Sequence, residues 1–371
     1  MIESSPLLEA RNIEVERGGT IILSVQSLLI QKGEILSLIG PNGAGKTTLL
    51  QTSSYLLKPF KGELFFKGEK INSNQSIFEY RRKLAMIFQE PLLFDTTVLG
   101  NVASGLKIRG MARGEIRHRV MEQLDRFGII HLSGRSARTL SGGEAQRASL
   151  ARAFAIQPEV LFLDEPFASL DPPTRDSLIE DLENILRKTK TTTIFATHDL
   201  SEALRLSDRM AVMNQGKIFQ IGSPAEVMNH PIDEFVASFV GVETILSGRV
   251  IKKYRGTFLA SILGQEIEVV GDVHLGETVV ICIRPENVTL STSILKEATS
   301  ARNMFTGKIL KIVPLGLYQK VQLDCGFPLI AYVTNHSLDE LSLAEGKEVK
   351  ASFKATAVTV VRRGEDFKNN S

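Results

Sequence analysis

Cysteine, net charge and long apolar runs are all scarce in this chain, and each scarcity removes a class of function. Two cysteines, Cys282 and Cys325, are too few for a disulfide framework or a thiolate metal cage, so they read as small buried hydrophobes, in keeping with a reducing compartment. Lysine and arginine total 44 against 42 acids, which leaves no strongly basic face for nucleic acid and no polyacidic tail. No apolar run approaches the roughly 20 residues that span a bilayer. The start of the sequence, with Glu3 and Glu9, lacks the basic-then-apolar pattern of a secretory signal. If a membrane matters, the expectation is that other subunits provide it. What is present is 371 residues with 43% hydrophobic content, enough for two or three domains.

The most informative stretch runs Gly40-Pro41-Asn42-Gly43-Ala44-Gly45-Lys46-Thr47-Thr48. Gly40 and Gly45 bracket four residues ahead of Lys46 and Thr47, so backbone N–H groups can wrap a phosphate while Lys46 reaches the outer phosphates and Thr47 ligates Mg²⁺. An apolar run, Glu34 to Ile39, precedes it as a buried strand. Thr47 to Tyr55 follows as a helix whose N-terminus favours negative charge. A plain Gly/Asn turn between strand and helix would need no Lys-Thr at that offset.

Other candidates fall at strand and helix ends. Short strands are predicted at Ile13–Val15, Thr20–Val25 and Leu28–Ile30, with a turn at Gly18-Gly19. Arg82 to Phe88 delivers Gln89, whose carboxamide can coordinate Mg²⁺ or position a water. From Thr97 to Ser136 the composition turns helical, with Ile116, Val120, Leu124 and Phe127 at helical spacing. This helical insertion, about 90–150, closes on Leu140-Ser141-Gly142-Gly143-Glu144. A serine and two glycines opening a helix form a second anion site, although such caps are common. Val160–Leu163 reads as a buried strand ending in Asp164-Glu165. Asp164 would bind Mg²⁺ through water, and Glu165 would polarise the water that attacks the γ-phosphate. Ser169-Leu170-Asp171 follows. A strand from Thr192 to Ala196 then delivers His198, placed to sense the γ-phosphate. A hairpin turning at Asn214–Gly216 ends this region.

Together these residues resemble, in order and spacing, the ATPase cassettes of ABC transporters over roughly the first two thirds of the chain. The resemblance implies an α/β P-loop domain, residues 1–240, using ATP and Mg²⁺. It also implies a head-to-tail homodimer in which Ser141, Gly142, Gly143, Glu144 and Asp171 complete the partner's nucleotide site. Where that family commonly stacks an aromatic residue on adenine, this chain offers Arg17, whose guanidinium can also stack; the choice between ATP and GTP stays open. The surface near Gln89 to Leu99 would pass movement to a membrane helix.

From Gly241 onward, strand signals between Gly-bearing turns predict an all-β, OB-like domain, residues 241–371. It carries an internal repeat. Gly276-x-x-Val279 and Arg284-x-x-x-Val288-Thr-Leu echo Gly346-x-x-Val349 and Lys354-x-x-x-Val358-Thr-Val, and Val242–Gly248 echoes Ala301–Gly307. Two related units follow, about 241–295 and 296–363. The second resembles the oxyanion-binding modules (TOBE, or molbindin-like) of molybdate-binding proteins and of molybdate and tungstate importer ATPases. Arg302 and Lys354 would supply charge to a tetrahedral dianion, and Ser300, Asn303 and Ser352 hydrogen bonds. In the first unit Glu243 and Thr244 replace Arg302 and Asn303, and a carboxylate there would repel an anion. Similar tails on sugar and polyamine importers mostly hold two cassettes together, so a structural tail is the competing reading.

The implied protein is the ATPase subunit of an oxyanion importer, peripheral on the cytoplasmic face of the cell membrane. Its implied partners are two transmembrane permease subunits and an extracytoplasmic oxyanion-binding protein, and no nucleic acid. Sulfate, sugar, polyamine or iron are the alternative cargoes. An ABC ATPase acting on DNA or ribosomes would usually show a coiled coil or second cassette, and neither is visible. A stand-alone oxyanion store would not need the cassette.

Overall fold

Runs of unbroken burial explain the first sheet. Strands β3 (Ile35–Ile39), β7 (Val160–Asp164) and β8 (Thr192–Thr197) are buried at every residue, as expected of parallel strands covered on both faces. With β6 (Leu84–Ile87), β9 (Arg209–Asn214) and β10 (Lys217–Gly222) they form a six-stranded sheet of order β10-β9-β3-β8-β7-β6, parallel except for the β9/β10 hairpin. The computed structural model describes residues 5–292 and 299–361. Glu3, and the parts of the two sequence-predicted β units that fall in 293–298 and 362–363, lie outside the described residues.

The chain divides into two compact units, Met1–Pro224 and Ala225–Ser371. In the first, a four-stranded antiparallel sheet of order β2-β1-β4-β5 is built from β1 (Leu8–Arg17), β2 (Thr20–Ile30), β4 (Lys61–Phe66) and β5 (Glu69–Lys70). Where short strands are predicted, β2 is continuous. Its alternation slips at Gln26-Ser27, both exposed, opposite Asn12, which sits at φ 50°, so one strand reads as two fragments.

Helix α1 (Lys46–Ser53) follows β3, and α2 (Asn74–Arg82) opens on Ser73, whose hydroxyl accepts from the Ser76 N–H. The helical insertion contains α3 (Val98–Ile108), α4 (Arg113–Arg126) and α5 (Gly142–Ala155). Ile116, Val120, Leu124 and Phe127 are buried against Val102, Leu106 and Phe154, the face that their spacing predicts. Helices α6 (Pro172–Thr189) and α7 (Leu200–Leu206) link the later strands of the sheet.

The second unit begins with helices α8 (Pro224–Asn229) and α9 (Glu234–Phe239) and is otherwise mostly strand. Strands β11 (Thr244–Lys253), β12 (Thr257–Ile262), β13 (Gln265–Val270) and β14 (Thr278–Ile283) belong to the first repeat, and β15 (Thr289–Ser291) ends it. The second repeat supplies β16 (Asn303–Pro314), β17 (Tyr318–Asp324), β18 (Pro328–Thr334), helix α10 (Asn335–Glu340), β19 (Glu348–Phe353) and β20 (Val358–Val361). The two sheets, of order β13-β12-β11-β14-β20 and β15-β19-β16-β17-β18, exchange their last strands. Each repeat therefore completes the other's sheet around one shared core that includes Phe258, Ile281, Val321 and Phe353.

Both cysteines lie inside this unit. Burial pushes the Cys282 thiol up to about 12 and the Cys325 thiol up to about 11. Since the thiolate is the nucleophile, both should be inert towards a disulfide reagent at pH 8 in the folded protein and react fully in denaturant. Titration of thiols with and without guanidinium checks this, and fast reaction in the folded state would contradict it.

Candidate nucleotide site

The phosphate loop leaves β3 and turns into α1 through backbone conformations that require glycine. Gly40 has φ 154° and Gly45, at the helix N-cap, φ 99°. A Cβ on Gly40 would meet the Met213 carbonyl oxygen at 2.2 Å. No side chain caps α1, so its first-turn amides are held ready for an anion. Gly45 packs on the β9/β10 turn: its Cβ would lie 3.1 Å from the Cα of Gly216.

Lys46 is buried, with its Nζ donating to the carbonyls of Gly40 (2.9 Å) and Pro41 (3.1 Å) and standing 3.7 Å from Glu165 Oε1. Its pKa is depressed, first by burial, with the neighbouring acids opposing that shift. Thr47 Oγ1 donates to Asp164 Oδ1 at 2.8 Å, which joins the loop to the end of β7. Burial raises the Asp164 carboxyl above its ordinary range, and the Thr47 bond pulls the other way. The hydroxyl and carboxylate form the hard-oxygen pair that suits Mg²⁺.

Glu165 sits at φ 44°, in the left-handed region, with its N–H donating to the Ala196 carbonyl of β8. One carboxylate oxygen faces Lys46; the other receives the His198 Nδ1 contact at 3.0 Å. The structure thus brings Lys46, Thr47, Asp164, Glu165 and His198 into one continuous chain of contacts. Gln89 is exposed and follows β6 by two residues; the pairing of Ile87 with Leu163 puts it at the same end of the sheet as the two acids. Pro41, Asn42 and Gly43 are exposed along the loop, Ala44 is buried, and Thr48 lies within α1. Arg17 is exposed at the end of β1, paired across the hairpin with Thr20.

Ser141 caps α5 in a capping box: its Oγ accepts from the Glu144 N–H (3.3 Å), and Glu144 Oε2 accepts from the Ser141 N–H (2.7 Å). That backbone bond, first among several causes, holds the Glu144 carboxyl below its usual range. Ser141 and Gly142 are exposed, whereas Gly143 faces Thr174, whose Cγ2 would lie 2.5 Å from an added Cβ. Asp171 caps α6 by accepting from Thr174 N–H, and hydrogen bonds to Thr174 depress its pKa. Among the described residues no hydrogen bond or ion pair joins Ser141–Glu144 to the loop 40–48. Sequence reasoning missed Gln146. Buried on α5, its Nε2 donates to the Pro166 carbonyl at 2.8 Å and so holds the segment that carries Glu165. An amide on an otherwise apolar helix face was the available signal.

In the second unit, Asn303 pairs with Phe353 across β16 and β19 and Met304 with Ser352, so Arg302 and Lys354 flank the Asn303/Phe353 pair, each one residue beyond its strand. Arg302 and Lys354 are exposed, and among the described residues neither takes an ion pair. Ser300 is exposed ahead of β16. Asn303 is buried, with its Oδ1 accepting from the Glu268 N–H (2.8 Å) and its Nδ2 donating to the Glu268 carbonyl (2.9 Å).

A glycine-cradled helix N-terminus, a buried lysine and two acids at a strand end are the parts of a nucleotide-hydrolysing P-loop cassette. Comparison with known proteins agrees. A family model described as ABC transporter matches residues 23–168, and a TOBE domain model matches residues 299–360. The molybdate/tungstate import ATP-binding protein WtpC of Pyrococcus abyssi is 39% identical over 336 residues, covering 89% of this chain and 93% of that one. The sulfate/thiosulfate import ATP-binding protein CysA of Thermosynechococcus vestitus is 35% identical over 91% of this chain and 94% of its own. A solved dimeric, post-hydrolysis structure of the ATP-binding cassette MJ0796 with ADP and Pi is 28% identical. It overlays with a TM-score of 0.54 across 58% of this chain and 98% of that one. The chain belongs to the ATP-binding subunits of ABC importers: it is an ATPase coupled to transport, with a TOBE domain at its C-terminal end. No helix among its described residues is long and apolar enough to cross a membrane.

Proposed function

We propose that this chain drives import of a tetrahedral oxyanion, molybdate or tungstate, across a membrane provided by two permease subunits, and that it sits peripherally on the cytoplasmic face. An extracytoplasmic binding protein would deliver the cargo. The observation that carries the cargo assignment is the pair of cations, Arg302 and Lys354, that flank the Asn303/Phe353 pair at the ends of β16 and β19 in a TOBE domain. The 39% identity to a molybdate/tungstate import protein, over nearly its whole length, supports the same class. Sulfate is the second reading, favoured by the 35% identity to a sulfate/thiosulfate import protein.

In the cassette, two chains bind ATP head to tail. Lys46 and the amides opening α1 hold the phosphates, and Ser141, Gly142 and Gly143 of the facing chain close over them, with Asp171 on the same face. Arg17 lies against the base. Thr47 and Asp164, with Gln89, would hold Mg²⁺, which supplies charge neutralisation on the phosphates when bound. Glu165 accepts the proton of the attacking water. It faces Lys46 and is oriented by His198 and by the backbone that Gln146 anchors. His198 then stands where a γ-phosphate would displace its contact with Glu165.

Oxyanion bound at Arg302 and Lys354 would slow transport when cargo has accumulated. The full-length protein should gain thermal stability with molybdate or tungstate and less with sulfate, and the double variant Arg302→Ala/Lys354→Ala should lose that gain. Equal shifts for all three anions would leave sulfate standing, and no shift with any of them would remove the cargo site.

A further inference from the structure

The two repeats of the second unit present matching loci that differ in charge, and the difference is built into the packing. Thr244 of the first repeat accepts from the Ile330 N–H of β18, as Asn303 of the second engages the Glu268 peptide of β13. Ile330 therefore corresponds to Glu268. Two residues on, Tyr332 corresponds to Val270, and their cross-strand partners Lys320 and Thr257 correspond as well. The residue before Thr244 is Glu243, and the residue before Asn303 is Arg302. At the Arg302 locus the matching positions are a valine and a threonine, which carry no charge.

At the Glu243 locus the opposite holds. Lys320 Nζ donates to Glu243 Oε2 and Tyr332 Oη donates to Oε1, so two donors from adjacent strands grip one carboxylate at both oxygens. Lys320 and Glu243 each keep only 22% of their side-chain exposure. The Tyr332 ring lies 4.7 Å from that of Tyr318. Arg284 occupies the position that Lys354 holds in the other repeat, but its guanidinium is committed to the carbonyls of Met228 and Val240, with Glu286 3.8 Å away. Lys320 is thus the cation available to the carboxylate.

We propose that this locus is an anion pocket whose ligand is the chain's own Glu243 carboxylate, and that it accepts a tetrahedral oxyanion once Glu243 is shortened. The chemistry matches: a half-buried ammonium and a phenol O–H fixed on neighbouring strands are what a small anion needs, and the carboxylate already satisfies both. The native domain then offers one open oxyanion locus instead of two. The proposal extends the oxyanion reading of the Arg302 locus to its counterpart, but its test does not depend on that reading.

The test counts molybdate bound per full-length chain by equilibrium dialysis with metal analysis. Glu243→Ala should bind one equivalent more than the wild type, and Glu243→Gln, which keeps an oxygen between Lys320 and Tyr332, should bind no more. Adding Lys320→Met to Glu243→Ala should abolish the extra equivalent. A wild type that binds none would remove the Arg302 reading while leaving this comparison intact. Glu243→Ser is the second vacating variant. A folded vacating variant with no added molybdate overturns the proposal, as does added binding that survives Lys320→Met. If neither vacating variant folds alone, recovery of the fold in excess molybdate supports the pocket, and failure to recover overturns it.

Discussion

Glu165→Gln is expected to cut ATP turnover by about 10²–10⁴-fold while leaving ATP bound, because it removes the proton acceptor for water and little else. Lys46 reaches Glu165 only at 3.7 Å, whereas its closer bonds go to the carbonyls of Gly40 and Pro41, so the lysine stays anchored when the charge is lost. His198 loses a charged partner for Nδ1 but can still meet an amide oxygen. With binding intact and hydrolysis stopped, two chains should remain closed on ATP. Phosphate release measures the first effect, and gel filtration with ATP and Mg²⁺ the second. Near-normal hydrolysis would take Glu165 out of the mechanism.

The second large effect is expected outside the motifs, at Gly216. This residue turns the β9/β10 hairpin at φ 74°, its N–H donates to the Ala44 carbonyl (2.9 Å), and its carbonyl accepts from Ser24 N–H (2.7 Å). A Cβ there would lie 2.2 Å from the Ile22 carbonyl oxygen, a backbone atom that cannot swing aside. Overpacking costs about 1–3 kcal/mol, and left-handed backbone a further 1–2 kcal/mol or so. At about 2–4 °C per kcal/mol for a unit of this size, Gly216→Ala should lower the melting temperature by roughly 5–15 °C. Because Gly45 rests on Gly216, ATP affinity should fall at least about tenfold as the loop shifts, an amount that corresponds to about 1.4 kcal/mol. Gly68→Ala, in the turn between β4 and β5, is the control: it too has positive φ, but its Cβ would meet nothing within 4 Å. Calorimetry and binding of a fluorescent ATP analogue separate the two variants, and equal losses would show that the hairpin contact is immaterial.

How much of this the sequence discloses follows from where each feature's partners lie. The phosphate loop is legible because Gly40, Gly45, Lys46 and Thr47 are contiguous, and the glycines are required by local backbone angles. Asp164 and Glu165 are legible because they end an apolar run that only a buried strand explains. The insertion is legible through the four-residue spacing of Ile116, Val120 and Leu124. Gln146 is not, because its meaning lies in a bond to Pro166, twenty residues away on another element. Nor is the phase slip in β2, which is set by its partner strand at Asn12. The repeat in the second unit is visible as repeated residues, yet the pairing of Thr289 with Ser352 and of Cys282 with Thr359 leaves no local trace. The buried engagement of Asn303 with the Glu268 peptide is hidden for the same reason.

That exchange of closing strands has a consequence for the chain's life before it is complete. Until β20 is synthesised, β14 presents Val280 to Ile283 as a bare edge, and all four of these residues are buried in the finished fold. Such an edge is a template for pairing with another nascent chain. A ribosome synthesising this protein therefore leaves that edge open until Val358 to Val361 emerge, and premature termination anywhere before Val358 leaves it unpaired for good.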